Sequence, residues 1–273
     1  YKVIVLANKS LDIISNKSSL LSAVQQAEYR SEIRAIRAMF NYYAMDMFGR
    51  VPLVLSSAEQ LHSSLFQGQT DRSSIFQFVF QELHQVLPSL PDQHSNKEGN
   101  YYGRITQPVV NFLLAKLALN AEIYMYDDWT QGYASRPKGS DIHFSVPASD
   151  ASLRNGDKVD CRKLNAWETC IYYCDKLAEE GYVLESDDSF NFSTHNETSK
   201  ENIFTIPMDK NIYTNQFHYL FRSYHYTHGG VLGWGSENGT SATISTMKAN
   251  HYGEADEDVR CKMNFVAGVV KVD

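Results

Sequence analysis

Ala27-Glu28-Tyr29-Arg30-Ser31-Glu32-Ile33-Arg34-Ala35-Ile36-Arg37-Ala38-Met39-Phe40-Asn41-Tyr42-Tyr43-Ala44-Met45-Asp46-Met47-Phe48-Gly49-Arg50-Val51-Pro52-Leu53 is the stretch that decides the fold of this 273-residue chain. Tyr29, Ile33, Ile36, Phe40, Tyr43 and Met47 recur at alternating spacings of four and three, which predicts one helix with these residues along one face. Gly49 is placed to stop it, because glycine takes the left-handed conformation after a last turn, and Pro52 cannot continue the helix.

Three more helices are predicted further on. Thr70-Asp71 opens one that carries Ile75, Val79, Leu83 and Val86 and ends before Pro88 and Pro91. Thr106 is the expected cap of the next, with Pro108 in its first turn, a stripe of Val110, Leu113, Leu117, Ala121 and Tyr124, and a fading end at Asp127. Asn165, three residues before Glu168, forms a capping box for the last, with Trp167, Cys170, Cys174 and Leu177 as its stripe and Gly181 as its stop. Trp167 is thereby expected in the core. Tyr133 to Lys163 is a long connection, expected as surface structure. After Tyr182 the helical period disappears, leaving strand-like pieces such as Asn202-Ile203-Phe204-Thr205-Ile206 among glycines and aromatics. The expected fold is mainly α, with tetratricopeptide-like helix pairs, long irregular loops and a few short strands. We expect a single domain over 1–273, with a helical-repeat scaffold in 1–181 and a loop-rich, ligand-side region in 182–273.

Composition excludes several classes. A net charge of -7 and a pI near 5.7 leave no electrostatic footprint for phosphate backbones, so nucleic acid is not an expected partner. The apolar run Val109 to Leu119 is broken by Asn111 and Lys116 and falls far short of the ~20 residues of a membrane-spanning helix. Cys161, Cys170, Cys174 and Cys261 do not have the spacing of a disulfide framework. Cys170 and Cys174 share a helix face, where core packing is the expectation and metal ligation is not.

The opening helix, with its Glu, Tyr and Phe residues and its run into Phe48-Gly49-Arg50-Val51-Pro52-Leu53, resembles the SusD/RagB family of outer-membrane nutrient-binding lipoproteins. In that family a helix of the form Arg-(Phe/Leu)-(Leu/Ile)-Arg-Ala leads into Phe-Gly-x-Val-Pro-Leu. Further pieces follow in the family's order: Leu6-Ala7-Asn8-Lys9 as the end of an Ala-Asn helix, Leu87-Pro88-Ser89-Leu90-Pro91, Gly103-Arg104-Ile105-Thr106, Gly181-Tyr182-Val183-Leu184, Glu201-Asn202-Ile203-Phe204, and Asp256-Glu257-Asp258-Val259-Arg260. The family's lipobox cysteine and the segments before its Ala-Asn helix have no counterpart, and family members usually continue beyond the point matching Asp273. The expectation is a fragment. The resemblance implies non-catalytic binding of a glycan at the cell surface. It also implies a lipid anchor in the outer membrane, not present in this chain, and delivery to a SusC-like TonB-dependent transporter. A peptide ligand, as in the RagB branch, is the alternative within the family, and a helical-repeat adaptor that binds a protein partner is the alternative outside it.

A sugar site needs aromatic platforms with planar hydrogen-bonding side chains at their edges. The run from Tyr213 to Gly239 has that composition. Trp234, between Gly233 and Gly235, is the first expected platform, joined by Tyr224 and Tyr226, with Arg222 and Asn238 to bond hydroxyls. Trp129, which follows Asp127 and Asp128, is a further candidate. No catalytic residue is expected: adjacent acids such as Asp127/Asp128, Asp187/Asp188 and Asp256/Glu257/Asp258 are commonly solvated and define no glycosidase pair. His228-Gly229-Gly230 has no Gly-x-Ser-x-Gly elbow to serve. A glycoside hydrolase is the least favoured reading. His218, His225 and His228 match no zinc spacing. The expectation is no cofactor and no metal site, with Glu185-Ser186-Asp187-Asp188-Ser189 the one oxygen-rich run chemically suited to a structural calcium.

Overall fold

Helix α1 (Lys2–Asn16) leads through a short connection to α2 (Ala23–Phe48), the longest helix among the described residues. This computed structural model describes residues 1–58, 68–148, 161–208, 211 and 242–265, with the side chains at 18, 129, 262 and 263 excepted. Leu6-Ala7-Asn8-Lys9, expected at the end of a helix, lies in the middle of α1. Ser22 opens α2 with a capping box, its hydroxyl accepting from Gln25 N at 3.2 Å while Ser22 N donates to Gln25 Oε1 at 3.0 Å. Gly49 closes the helix as expected, at φ +72°, where a side chain would be strained.

The face that α2 buries is not the one that carries the apolar stripe. Ser31, Ala35, Ala38, Tyr42 and Met45 are buried, whereas Tyr29, Tyr43 and Met47 are exposed and Ile33, Ile36 and Phe40 are only half-buried. α2 packs against two helices, α1 and α3 (Arg72–Val86). Small alanines at those contacts let neighbouring helices approach closely, and the long apolar side chains fall on the less covered face.

α3 buries Ile75, Val79, Leu83 and Val86 as predicted and ends in the turn Leu87–Ser89. Its N-terminus is capped from a distance. Asp127 accepts hydrogen bonds from Arg72 N (2.8 Å) and Ser73 N (3.0 Å), supplying the acceptor that the side chain of Asp71 does not provide. α4 (Gln107–Leu119) and the short α5 (Ala121–Tyr124) carry the predicted buried stripe on either side of Asn120.

The long connection after α5 contains an element the sequence reading missed. β1 (His143–Pro147) pairs antiparallel with β2 (Cys161–Asn165), with His143 opposite Asn165. Phe144 stacks on Phe80 of α3 at 4.1 Å and Val146 is buried, so the hairpin is part of the core. Asn165 ends β2 and also caps α6 (Ala166–Glu179): Glu168 N donates to Asn165 Oδ1 at 3.0 Å, and Asn165 N to Glu168 Oε2 at 2.9 Å. α6 buries Ala166, Thr169, Tyr173 and Leu177. Trp167 is not a core residue; it is 40% exposed and lies against Gly139, whose N–H is held by Glu122 at 2.7 Å. Cys174 is exposed rather than packed. Successive helices pack on one another, α1 on α2, α2 on α3, α3 on α4 and α4 on α6. The fold is mainly α, of the tetratricopeptide-like kind. Residues 202–206 form no strand.

Two compact units are present, Tyr1–Ile206 and Pro207–Asp273. Within the second, α7 (Ile244–Ala249) starts at Thr243, whose hydroxyl accepts from Thr246 N, and α8 (Cys261–Asn264) is a single turn.

A charged cluster ties α1, α2 and α3 together. Glu82 of α3 bonds Arg37 Nη2 at 2.5 Å and Arg34 at 2.6 and 3.0 Å, while Arg37 Nη1 reaches Asn8 Oδ1 (2.9 Å) and the Leu55 carbonyl (3.0 Å). Burial pushes the Glu82 carboxyl upward, and the hydrogen bonds from both arginines overcome that and hold it below the usual carboxylate range.

Candidate ligand-binding groove

A groove of about 650 Å³ lies between α2, α4, α6 and the segment 182–204. Met39, Tyr42 and Tyr43 come from α2, Phe112 and Lys116 from α4, and Cys174 and Leu177 from α6. The outer wall is built by Leu184 and Phe192, 83% and 80% exposed. Exposed aromatic and aliphatic side chains around one cavity mark a place where something apolar is received.

Hydrogen bonding along the wall is mostly internal. Asn191 Nδ2 donates to Glu201 Oε2 (2.9 Å), Ser199 Oγ to Asn191 Oδ1 (2.7 Å), and Glu185 N to Glu201 Oε2 (2.9 Å). Asn202 Nδ2 is spent on the Asn191 carbonyl at 3.2 Å. Lys116, with its ammonium 5.8 Å from the Tyr42 ring centroid, and Asp188 are the charged groove side chains that hydrogen-bond no described residue. The groove can therefore hold a ligand with a large apolar surface and one or two polar groups. Cys170, beside it on α6, is pushed up to about 11 by burial and by its neighbour Cys174, so it stays a protonated thiol at neutral pH.

Below the groove, His94 stacks on Tyr182 with centroids 4.3 Å apart, and its Nε2 donates to the Glu180 carbonyl at 2.9 Å. Glu180 Oε1 accepts from Asn111 Nδ2 at 3.0 Å, and Oε2 is buried without a partner. Burial pushes this carboxyl up to about 7.

Of the expected ligand residues, Arg222, Tyr224, Tyr226, Trp234 and Asn238 lie outside the described residues, as do His218, His225 and His228. Trp129 is in the single turn Trp129–Gln131, its side chain outside the description. The two acids before it are engaged: Asp127 caps α3, and Asp128 accepts from Thr130 and Gln131. In the oxygen-rich run, Asp187 accepts from Ser189 N at 2.9 Å and Glu185 from Lys200 N at 2.6 Å. One group of three ligand-type side chains occurs among the described residues, His251, Glu254 and Asp256, all exposed, with His251 Nδ1 already 2.7 Å from Asp256. Sequence reasoning missed the groove. Its signal was the pair of loop phenylalanines in Asp188-Ser189-Phe190-Asn191-Phe192, just after α6.

No protein-family model matches the sequence, and no curated protein matches it. Solved structures do. A SusD-like protein from Bacteroides fragilis superposes with a TM-score of 0.52 at 15% identity, over 80% of this chain and 35% of its own. The chain has the SusD-like fold. A match of greater extent is to a protein solved with a xylogluco-oligosaccharide, with a TM-score of 0.59 at 16% identity over 92% of this chain and 43% of the other. A surface glycan-binding protein A from Bacteroides uniformis gives 0.50 at 17%, over 74% of this chain and 35% of its own. The chain thus spans between 35% and 43% of the length of these three structures.

Proposed function

We propose that this chain is part of a non-catalytic, cell-surface glycan-binding protein that hands its ligand to a SusC-like TonB-dependent transporter in the outer membrane, where a lipid anchor holds it. The observation that carries this reading is a fold shared over 80% of the chain with a SusD-like protein and over 92% with a protein solved with a xylogluco-oligosaccharide. Trp234 is the principal stacking platform, with help from Tyr224 and Tyr226 and with Arg222 and Asn238 bonding hydroxyls, and Trp129 is a separate candidate platform. Titration calorimetry against xylogluco-oligosaccharide and other glycans, with product analysis, tests it. Saturable binding with intact ligand is expected; shortened ligand would reinstate a hydrolase. Trp234→Ala is expected to remove most of the affinity while leaving the thermal transition nearly unchanged, and loss of folding in that variant would put Trp234 in the core instead.

A peptide is the second reading, and the groove favours it. Its wall has satisfied most of its own hydrogen bonds and presents Leu184 and Phe192, a surface suited to apolar side chains more than to rings of hydroxyls. Binding of hydrophobic peptides with loss on Phe112→Ala, together with silence toward glycans, would select it.

A further inference from the structure

We propose a second carbohydrate contact on the scaffold itself, a cleft around Tyr101 that takes neutral oligosaccharide; it rests on the glycan-binding reading above. The cleft measures about 510 Å³ and lies between the first turns of α2, the Pro88–Pro91 turn and the loop before α4. Val24, 75% exposed, and the rings of Pro88 and Pro91 give it flat apolar surface.

Tyr101 is held rigid from behind. The Arg104 guanidinium sits 5.0 Å from its ring centroid, a cation–π contact that orients the ring. Arg104 is itself clamped by Glu32, with Nη2 donating to Oε2 at 2.6 Å and Nε shared between Oε1 at 3.2 Å and Oε2 at 3.3 Å, and by Glu28 at 3.1 Å. Glu32 also accepts from Ile105 N, and the loop is closed by Gly103 N to the Ser95 carbonyl at 2.8 Å. The opposite wall is fixed by α4: Gln107 Nε2 donates to the Leu90 carbonyl (2.7 Å) and Gln107 N to the Pro91 carbonyl (2.8 Å). A site whose platform and wall are both fixed beforehand loses little freedom on binding.

The edges carry what a sugar needs. The side chains of Ser89, Asp92, Gln93 and Tyr101 line the cleft and hydrogen-bond no described residue, leaving two hydroxyls, a carboxylate and an amide for a ligand's hydroxyls. The pattern is the reverse of the groove, where the comparable groups bond one another. Charge narrows the ligand class. Glu28 and Asp92 line the cleft, no lysine or arginine among the described residues does, and the nearby Arg104 is already neutralised. Uronic acid or sulfated glycans meet like charge there, so the occupant is a neutral glycan.

Saturation-transfer NMR and calorimetry with a xylogluco-oligosaccharide test this on four forms of the chain: wild type, Trp234→Ala, Tyr101→Ala and the double variant. The Trp234→Ala form is expected to keep a weak saturable signal that the double variant loses, with Tyr101→Ala weakening that residual binding about tenfold, the scale of one lost stacking contact. Tyr101→Phe, which cannot disturb the fold, is expected to retain most of it. Asp92→Asn is expected to admit oligogalacturonate, which the wild-type cleft rejects. Residual binding indifferent to Tyr101→Ala overturns the cleft and leaves the glycan-binding reading standing; a wild-type chain that binds no neutral glycan overturns both.

Discussion

Glu82→Gln is the sharpest test of how the scaffold is held together. The substitution keeps the shape of the side chain and removes its charge. Arg37, 7% exposed, then keeps a buried guanidinium that has lost the carboxylate offsetting its charge, since Asn8, the Leu55 carbonyl and the Phe78 ring beside it are all neutral. Leaving one member of a buried ion pair uncompensated costs about 3–5 kcal/mol, and at roughly 2–4 °C per kcal/mol for a chain of this size the melting temperature should fall by about 6–20 °C. Arg34→Gln is the internal comparison: its side chain is 30% exposed and Arg37 still faces Glu82, so the loss should stay near 1 kcal/mol. Circular dichroism melts and urea titrations of the two variants beside wild type measure both. A Glu82→Gln variant within about 1 kcal/mol of wild type would refute the argument, because the cluster would then be hydrated or replaceable. The pH dependence has a fixed direction. Glu82 is held below its unfolded value, so its contribution is complete above the ordinary Glu pKa and is lost as pH falls through the folded one.

Glu180 should behave the opposite way. Its pKa is raised by burial to about 7, with Asp92 and Glu179 adding to the rise and Asn111 and Lys176 opposing it, so its contribution is complete below the ordinary Glu pKa and is lost as pH rises through about 7. The difference in melting temperature between wild type and Glu180→Gln should change by the equivalent of about 1 kcal/mol between pH 5 and pH 8, a figure reduced for solvent screening of a partly exposed group; a flat difference would refute the assignment. Gly139→Ala places a Cβ 2.3 Å from the Trp167 indole and should displace that ring, at a cost of about 1–3 kcal/mol, seen as a red shift in tryptophan emission that is absent from a Gly139→Ala/Trp167→Phe background.

Where the sequence spoke through short-range chemistry it was legible. Gly49, the Asn165 and Glu168 capping box, and the stripes of α3 and α4 are local signals, each decided within one or two turns. What it hid depends on partners far along the chain. The buried faces of α2 and α6 are set by which helices lean on them, and two contacts with alanine outrank a stripe of long apolar residues. Glu82 lies 45 residues from Arg37, and Asp127 lies 54 from the Ser73 amide it caps, distances at which no periodicity speaks. β1 is five residues long, too short for alternation to stand out from a polar connection. Aromatic composition names Trp234 but is silent about the groove and the Tyr101 cleft, because both are assembled from separate elements.

Asn165 belongs to two elements at once, paired with His143 across the hairpin and capping α6. Hairpin and helix are therefore indexed to each other with no slack residue between them. One amino acid inserted after Asn165 would turn α6 by about 100°, carrying Cys174 and Leu177 off the groove and Tyr173 out of the core. The junction at Asn165 thus behaves as a keyed joint that admits no change of length.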